Sequence, residues 1–217
     1  MPELRARTPE GRIFRIGRLP DAWEEPDWSR AGDDKTFGHR FDDPKGEYRV
    51  LYGATQRVAC FLECLACFRP DLGLLAELAG VSGSDDFSAF NAHDWARPRA
   101  LGSAGAVGRF ADVYSSGWIS LLRKKLAAAA LRLGISEIDQ STLQSPQPRR
   151  LTQLASRIIF TRGLNGVYYS SRFGSELENW ALFEPWTLDD PQSSPIVTDD
   201  ADLNEAMRRM GIRGAMA

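Results

Sequence analysis

The chain has 217 residues and a formal net charge of −2, with 43% hydrophobic and 26% charged residues. This balance is that of an ordinary globular protein, and the length is sufficient for one sizeable hydrophobic core. A slightly acidic chain does not fit a protein that coats nucleic acid or an anionic membrane surface. We therefore expect no direct nucleic-acid binding, although the arginines still allow a local anion pocket.

The targeting features of the sequence are few. No apolar run reaches the ~20 residues of a membrane-spanning helix, and the polar N-terminal segment lacks the apolar core of a secretory signal. Three cysteines, Cys60, Cys64 and Cys67, are an odd number and do not form a disulfide framework. The sequence therefore predicts a cytoplasmic protein without membrane association.

The chain begins with a predicted strand and a long loop. Charged and apolar residues alternate over 12–16, as in a half-buried strand. Residues 21–34 are rich in Asp, Glu, Trp and Pro, which is typical of irregular structure. Within this loop, Trp23 and Trp28 either pin the loop to the core or cover a cleft.

The segment from 37 to 70 holds the most informative pattern. A polar, turn-rich loop at 37–46 leads into a strand over 48–54 and an apolar helix over 58–68. Thr55 is the candidate N-cap of that helix. Glu63 is the single charge in the apolar run, and a lone buried carboxylate is costly. We therefore expect Glu63 to be paired or to line a polar cavity in the interior.

The remaining elements are a mixture of helices and strands. Further helices are predicted where apolar residues recur at helical spacing, over 72–79, 115–133, 152–162 and 203–210. Further strands are predicted over 135–143, 167–171 and 180–183, with one or two more within 101–113 around a turn near Gly105. Loops are expected at 82–88 and in a loosely held acidic tail at 189–200. Because the elements do not alternate strictly as βαβ units, the sequence predicts an α+β fold in one domain, 1–217.

The cysteine spacing has two interpretations. The spacing Cys60-x3-Cys64-x2-Cys67 matches the one with which radical-SAM enzymes hold an iron–sulfur cluster. However, cluster ligands normally lie in a loop that wraps the cluster, whereas this segment has the pattern of a helix with all three sulfurs on one face. Because cysteine is also a common small buried residue, we favour core packing and keep the iron–sulfur enzyme as an alternative.

Other familiar motifs are absent or incomplete. His39 and His93 lack the spacing of a zinc site, so no metal is predicted. The glycines within 102–108 are not followed by the Lys-Ser/Thr of a phosphate-binding loop, and no G-x-S-x-G elbow is present. A helix–turn–helix over 127–154 is disfavoured by its prolines and by the acidic chain.

A polar set suited to a nucleotide pocket remains. Arginine side chains bind pyrophosphate in a bidentate manner, aromatic rings stack on flat heterocycles, and a carboxylate stabilises positive charge at a sugar C1. Tyr169 and Ser171 are two residues apart on a predicted strand, so their side chains are expected to share one face. The set consists of Arg15, Arg40, Tyr52, Glu63, Tyr169 and Ser171. Each residue alone is equally explained by an ion pair or a strand surface, so the set leaves an enzyme and a binding protein both open.

At these residues the chain resembles the RES-domain family, which is named for its Arg, Glu and Ser. Four pieces match in order: RIFRI at 12–16, GHRFDDP at 38–44, a strand–helix unit at 50–63, and GVYYSSRFGSELENWALF at 166–183. The second piece departs from the family pattern, since His39 is inserted and Asp42-Asp43 stand where Asn is usual. The resemblance spans about 12–184 and leaves 185–217 as an acidic tail with a short helix.

The resemblance implies an ADP-ribosyltransferase-like α+β fold with small split sheets and a cleft that holds NAD. It implies cleavage of NAD at the nicotinamide–ribose bond, either by phosphate or by water, with NAD as substrate and no metal or other cofactor. The altered loop around Arg40 leaves the choice between phosphorolysis and hydrolysis open.

The resemblance also implies roles for the polar set. Glu63 would hold the ribose or offset the charge that develops on it, and Arg15 and Arg40 would grip the pyrophosphate or an incoming phosphate. Tyr52 would pack beside nicotinamide, with Tyr169 as a further binding residue. Ser171 would bind ribose or phosphate and complete a catalytic set with Glu63 and Arg40, with Ser170 as its rival.

Finally, the resemblance implies a biological setting. Studied family members include toxins of bacterial toxin–antitoxin pairs, so the implied partner is a separate antitoxin protein, with a homodimer left open. The alternative is a non-catalytic module that binds NAD, ADP-ribose or a protein with the same fold. Release of nicotinamide from NAD distinguishes the two.

Overall fold

The structure is a computed structural model that describes residues 3–69, 72–78, 90–145 and 147–212. Its chain contacts define two compact units. The first unit contains Met1–Ile13, Glu25–Thr55 and Ala104–Pro191, and the second contains Phe14–Glu24, Gln56–Ser103 and Gln192–Ala217. The assignment of 1–217 to a single domain stays a prediction.

Strands and helices are interspersed along the chain, which confirms the α+β class. The strands are β1 (Ala6–Arg7), β2 (Arg12–Arg18), β3 (Val50–Ala54), β4 (Arg99–Val107), β5 (Phe110–Asp112), β6 (Gly166–Ser171), β7 (Gly174–Phe183) and β8 (Thr187–Pro195). The helices are α1 (Arg57–Leu65), α2 (Leu72–Leu78), α3 (Ala92–Ala96), α4 (Ser116–Arg132), α5 (Gln140–Gln144), α6 (Arg149–Phe160) and α7 (Ala201–Met210). Short 3-10 turns lie at Trp28–Arg30 and Ala66–Phe68.

The first unit is built on a sheet with the strand order β1-β5-β6-β7-β3. Strands β5 and β6 are parallel, and the other neighbouring pairs are antiparallel. The strands predicted at 167–171 and 180–183 are confirmed as parts of β6 and β7, which pair as an antiparallel hairpin with a register shift between Ser170 and Ser171. A shift of this kind adds local bend and twist, which is common beside functional sites.

Two helices cover one face of this sheet and form the main core. The α4 residues Trp118 and Leu122 and the α6 residues Leu151 and Ile159 are almost fully buried in one apolar cluster with Phe41. The cluster draws on helical positions three and four residues apart, as the sequence pattern predicts. Helix α4 ends before Gly134, whose φ of +74° suits glycine.

In the second unit, α1 packs against α7. Helix α1 buries Phe61, Leu62 and Leu65, and α7 buries Leu203 and Met207. The N-termini of the two helices also meet, because the residue that caps α7 forms an ion pair with the first residue of α1. That cap is Asp200, which accepts hydrogen bonds from the backbone of Asp202 and Leu203 and forms an ion pair with Arg57.

Three strands, β2, β4 and β8, are neighbours in that order and have residues in both units. The strand predicted at 12–16 is thus confirmed and extended to 18. The predicted loose tail at 189–200 was wrong, because most of it forms β8. Its polar, exposed residues gave no apolar alternation, so only pairing with a neighbouring strand fixes it as β structure.

Further local predictions were wrong. The strand expected at 135–143 is instead coil followed by α5, because the Asp139 side chain accepts a hydrogen bond from Thr142 N and caps a helix. The break expected near Gly105 lies at Gly108, between β4 and β5. The loop predicted at 82–88 lies outside the described residues.

Thr55 does not cap α1. The N-cap position is Gln56, without a side-chain hydrogen bond, and the Thr55 hydroxyl accepts instead from Trp180 Nε1 at 2.9 Å. Within the described ranges, no helix has both the length and the apolar character required to cross a membrane.

The close approach of β6 and β7 at Gly166 can be tested by substitution. A Cβ at this position would lie 1.9 Å from the Ala181 carbonyl oxygen, so Gly166→Ala should lower the free energy of unfolding by about 3 kcal/mol or more. Gly11 is the matched control, since a Cβ there meets nothing within 4 Å, and Gly11→Ala should stay within about 0.5 kcal/mol of the parent. Urea denaturation measures both, and equal stabilities would contradict the close approach.

Candidate functional site

The loop at 37–44 is held in shape by one buried carboxylate. Asp42 is only 3% exposed. Its Oδ2 accepts the backbone N–H of Phe37 at 2.9 Å and that of His39 at 2.8 Å. Gly38 lies between these donors with a φ of +78°, a conformation that glycine adopts without steric cost. The backbone therefore turns around the Asp42 carboxylate, and Arg40 follows directly after this turn.

Tyr52 in β3 completes the hydrogen bonding of Asp42. Its hydroxyl donates to Asp42 Oδ1 at 3.0 Å and accepts the Phe41 N–H at 3.0 Å. Burial raises the pKa of Tyr52 well above its usual value, and the negative charge of Asp42 raises it further. The Tyr52 hydroxyl is therefore protonated and committed to the loop, while its ring meets that of His39 edge to face with centroids 5.3 Å apart.

Helix α6 anchors the same loop from the other side. Gln153 Nε2 donates to the His39 carbonyl at 3.1 Å, and Ser156 Oγ donates to the Phe41 carbonyl at 2.6 Å. Arg157 forms an ion pair with the buried Asp43 at 3.2 Å. These three α6 residues are spaced i, i+3 and i+4, which places them on one helical face.

Arg40 is half-buried between α5 and β6. Its Nη2 donates to the Leu143 carbonyl at the end of α5 and lies 3.5 Å from the Tyr114 hydroxyl. The guanidinium carbon is 5.1 Å from the centroid of the Tyr169 ring and 5.3 Å from that of Phe41. Aromatic faces attract a cation at such distances. The position of Arg40 is thus set by a carbonyl, a phenol and two rings.

The end of β6 carries both candidate serines. Ser171 is 2% exposed, and its hydroxyl accepts the Phe173 N–H at 3.2 Å within the hairpin turn. Ser170 is half-buried and lies 3.4 Å from Gln144 Nε2, next to the Leu143 carbonyl that Arg40 binds. The register shift between the two serines interrupts the alternation from which Tyr169 and Ser171 were predicted to share a face.

Two predicted site residues, Arg15 and Glu63, belong to the second unit. Arg15 in β2 is half-buried, and its Nε donates to the Ala22 carbonyl at 2.8 Å. Glu63 in α1 is exposed, so its expected place in the interior was wrong. The α1 residues that face the core are positions 59–62 and 65, which leaves position 63 outside the buried face.

The electrostatics of Cys64 place Arg15 and Glu63 in one neighbourhood. The pKa of the Cys64 thiol is raised to about 11, foremost because the surrounding protein desolvates the thiolate. The charges of Arg15 and Arg99 act to lower this pKa, and the charge of Glu63 acts to raise it. The charges of Arg15, Arg99 and Glu63 therefore act on this thiol within the second unit.

The core packing expected for the three cysteines was wrong for Cys64 and Cys67, which are exposed, and the three do not share one helical face. The buried Cys60 donates to the Phe14 carbonyl at 3.1 Å, whereas α1 ends at Leu65 and Cys67 lies in the following 3-10 turn. In the described part of the chain, no three His, Cys, Asp or Glu side chains come together as a metal-binding group.

The second unit also contains a cavity of about 250 Å³. Arg57 and the end of β8, Ser193 and Ser194, contribute to its lining. None of the six predicted site residues lines it, and Arg57 is already paired with Asp200 and Asp202. This cavity is therefore not the site that the sequence pattern indicates.

The first unit thus brings Arg40, Tyr52 and Tyr169 together around the Asp42 loop, with Ser171 at the end of the strand that carries Tyr169. The sequence reasoning missed Asp42 as the organiser of this loop, as well as the supporting residues Tyr114 and Gln144. Asp42 was visible as a polar residue two positions after Arg40, but its hydrogen bonds depend on the folded loop. The Leu143 carbonyl is a backbone group, so its residue type in the sequence does not mark it as a partner of Arg40.

The raised pKa of Tyr52 predicts a loss of stability in alkali. Above the ordinary tyrosine pKa of 10, the unfolded chain loses this proton while the folded protein retains it. The folded state then binds more protons, so stability that is complete below pH 10 is lost as the pH rises. Tyr52→Phe should reduce the slope of that loss by up to about 1.4 kcal/mol per pH unit.

Urea denaturation at about pH 9 and about pH 11 measures these slopes. Tyr168, whose pKa is raised to about 12 chiefly by burial, contributes in the same direction, and Tyr168→Phe is a positive control. Identical slopes for the parent and Tyr52→Phe would show that the Tyr52 hydroxyl is not held protonated by the fold.

Comparisons with known proteins agree with this architecture. No curated protein matches the chain. One similar solved chain comes from the "Crystal structure of the M.tuberculosis MbcT-MbcA toxin-antitoxin complex", with a TM-score of 0.55 and 12% identity over 94% of this chain and 92% of that chain. At this identity the likeness concerns the fold, and it supports the α+β class. The RES domain family model matches residues 12–203. Because that match covers most of the chain, the protein belongs to the RES-domain family.

Proposed function

We propose that this RES-domain protein degrades NAD at the nicotinamide–ribose bond and is the toxin of a toxin–antitoxin pair. One observation carries the proposal. Arg40 is held over the Tyr169 ring by a loop whose backbone is fixed on both sides of Arg40, by Asp42 at His39 and by the Tyr52 hydroxyl at Phe41. A fixed guanidinium flanked by aromatic rings suits the pyrophosphate and the flat rings of a dinucleotide.

The proposed chemistry assigns the charge stabilisation to Glu63. Nicotinamide leaves through an oxocarbenium-like state, and a carboxylate near the sugar C1 stabilises the positive charge that develops there. An exposed carboxylate on α1 is accessible to a ligand. Arg15 is the second guanidinium proposed to bind phosphate oxygens, and the reaction requires no metal.

The acceptor of the ADP-ribosyl group is proposed to be inorganic phosphate or water. With phosphate, a phosphate oxygen forms the new bond to ribose C1 as the bond to nicotinamide breaks, and with water, a hydroxyl takes that place and a proton is released. Ser170 and Ser171 are the candidate hydroxyl groups for holding ribose or the acceptor. Ser170 lies next to the end of α5 that fixes Arg40, while Ser171 is already bonded within the hairpin turn.

The toxin assignment is supported by family membership and by the similar fold of a chain from the M.tuberculosis toxin–antitoxin complex. The proposed partner is a separate antitoxin polypeptide. The homodimer and the cytoplasmic location expected from the sequence stay predictions.

The decisive measurement is chromatography of NAD incubated with the purified protein, with and without phosphate. We expect nicotinamide release, accompanied by an ADP-ribose phosphate product when phosphate is the acceptor and by ADP-ribose when water is. Glu63→Gln should lower the rate at least about 100-fold, because the carboxylate charge is used in the transition state.

Glu77→Gln is the control for that change, since it removes the same charge from an exposed position on α2 and should leave the rate unchanged. Induced expression of the parent in a bacterial host should lower cellular NAD and halt growth, and expression of Glu63→Gln should do neither. A Glu63→Gln protein as active as the parent would remove this carboxylate from the mechanism.

Arg40 gives a second test of the proposal. Arg40→Gln removes a charged donor from the proposed phosphate site, so the KM for NAD or for phosphate should rise about 10- to 100-fold while kcat changes less. Arg149→Gln is the control, since Arg149 binds the same loop at the Gly38 carbonyl without contacting the Tyr169 ring. Equal effects of both substitutions would indicate loop stability alone.

A non-catalytic module that binds NAD or ADP-ribose is the second candidate function. The observation behind it is the guanidinium held over the Tyr169 ring, because this arrangement can bind a dinucleotide without breaking it. Calorimetric binding of NAD without any nicotinamide release would establish this candidate in place of the enzyme.

A further inference from the structure

We propose that Asp42 is a positioning residue of the NAD site: it binds the His39 N–H before Arg40 directly, and it holds the Tyr52 hydroxyl that binds the Phe41 N–H after Arg40, so that Tyr52 has no hydroxyl hydrogen left to donate to a ligand. The inference rests on the proposed function and deepens it, because it states which parts of the site are available to the dinucleotide. The residues on which this inference rests all belong to the first unit.

The first argument is the use of both oxygens of the carboxylate. Oδ2 accepts two backbone N–H groups, from Phe37 and His39, and Oδ1 accepts the Tyr52 hydroxyl. A buried carboxylate requires such donors, because an unsatisfied charge in the interior is costly. All three donors come from the loop or from the strand beside it, so the charge of Asp42 is used to shape the loop.

The second argument concerns the backbone around Arg40. The N–H groups of its two neighbours are bonded to Asp42 and to the Tyr52 hydroxyl, and their carbonyls are bonded to Gln153 and Ser156. Every backbone hydrogen-bonding group of His39 and Phe41 is therefore engaged. The side chain of Arg40 begins from a backbone held at four points, which lowers the entropy that it would otherwise lose on binding an anion.

The third argument concerns Tyr52. A phenol has one hydrogen to donate, and Tyr52 donates it to Asp42 while it accepts the Phe41 N–H. Its hydroxyl is thus occupied as a donor by the protein. A planar heterocycle that packs against the ring therefore receives no hydrogen bond from the Tyr52 hydroxyl, which is compatible with the stacking proposed for nicotinamide.

The neighbouring Asp43 provides the contrast. It is also buried, but it pairs with Arg157 at 3.2 Å and accepts the Glu47 N–H at 2.7 Å. These contacts tie the loop to α6 and to the next turn without reaching Tyr52. Asp43→Asn therefore serves as a control for general destabilisation by loss of a buried carboxylate from the same loop.

The asparagine variant separates the two functions of Asp42. An amide of the same shape has one acceptor oxygen, so it cannot accept the two backbone N–H groups and the Tyr52 hydroxyl on separate oxygens. With its oxygen on the backbone donors, its NH₂ group faces the Tyr52 oxygen and the phenolic hydrogen loses its partner. Tyr52→Phe breaks the same contact from the other side and keeps the ring.

The experiment is a double-mutant cycle of Asp42→Asn and Tyr52→Phe, with Asp43→Asn as control. The first readout is amide hydrogen exchange at His39 and Phe41 by NMR, which needs no substrate. Exchange should become at least about tenfold faster in Asp42→Asn and faster still at Phe41 in Tyr52→Phe, which also removes the acceptor of the Phe41 N–H. The double variant should exchange no faster than Tyr52→Phe, because the contact between Asp42 and Tyr52 is lost only once. In Asp43→Asn, exchange at these amides should change only in line with global stability.

The second readout is ligand binding, through the affinity for ADP-ribose and the KM for NAD. Asp42→Asn and Tyr52→Phe should each weaken affinity or raise KM about tenfold, with kcat changed less than about threefold, and the double variant should match the single ones. Additive losses, or an Asp42→Asn protein that matches Asp43→Asn in both readouts, would overturn the proposal.

The two readouts keep the inferences distinguishable. Absence of nicotinamide release from the parent overturns the proposed reaction, while coupled exchange and coupled ADP-ribose affinity would still support Asp42 as a positioning residue. Faster exchange with unchanged ligand affinity and KM would show that Asp42 acts on loop stability alone, and it would overturn the positioning role.

Discussion

A carboxylate that is taken out of water requires hydrogen-bond donors, and the loop at 37–44 is the solution to that requirement for Asp42. The loop supplies two backbone N–H groups and β3 supplies the Tyr52 hydroxyl. Helix α6 then binds the carbonyls on either side of Arg40. The place of the guanidinium over the Tyr169 ring follows from this network.

The same network explains why an irregular segment can carry a precise site. Loops are usually mobile because few contacts hold them, but the sheet and α6 of the first unit hold this loop from two sides. Glu63, by contrast, is presented by a regular helix whose apolar face packs on α7. Within the first unit, a fixed loop of this kind is the arrangement expected of a preorganised site.

The residue pattern within single segments was enough to predict strands at 167–171 and 180–183 and the helices α4 and α7, because short β-prone runs and apolar residues at helical spacing are local signals. The pattern failed for β8, whose exposed polar residues are fixed only by strand pairing. It also failed at 135–143, where the Asp139 cap decides the structure. Likewise, helical spacing over 58–68 did not show which positions face outward, so Glu63 was expected in the interior.

The sequence by itself determined the α+β class, the RES-domain resemblance and the residue types of the site, since these depend on local pattern and side-chain chemistry. Only the tertiary structure decided that Arg40 lies over Tyr169, that the Tyr52 hydroxyl is bound to Asp42, and that Glu63 is exposed. Hydrogen bonds to backbone groups such as the Leu143 carbonyl, and burial itself, arise between segments far apart in the chain. They exist only after the chain has folded, so no motif records them.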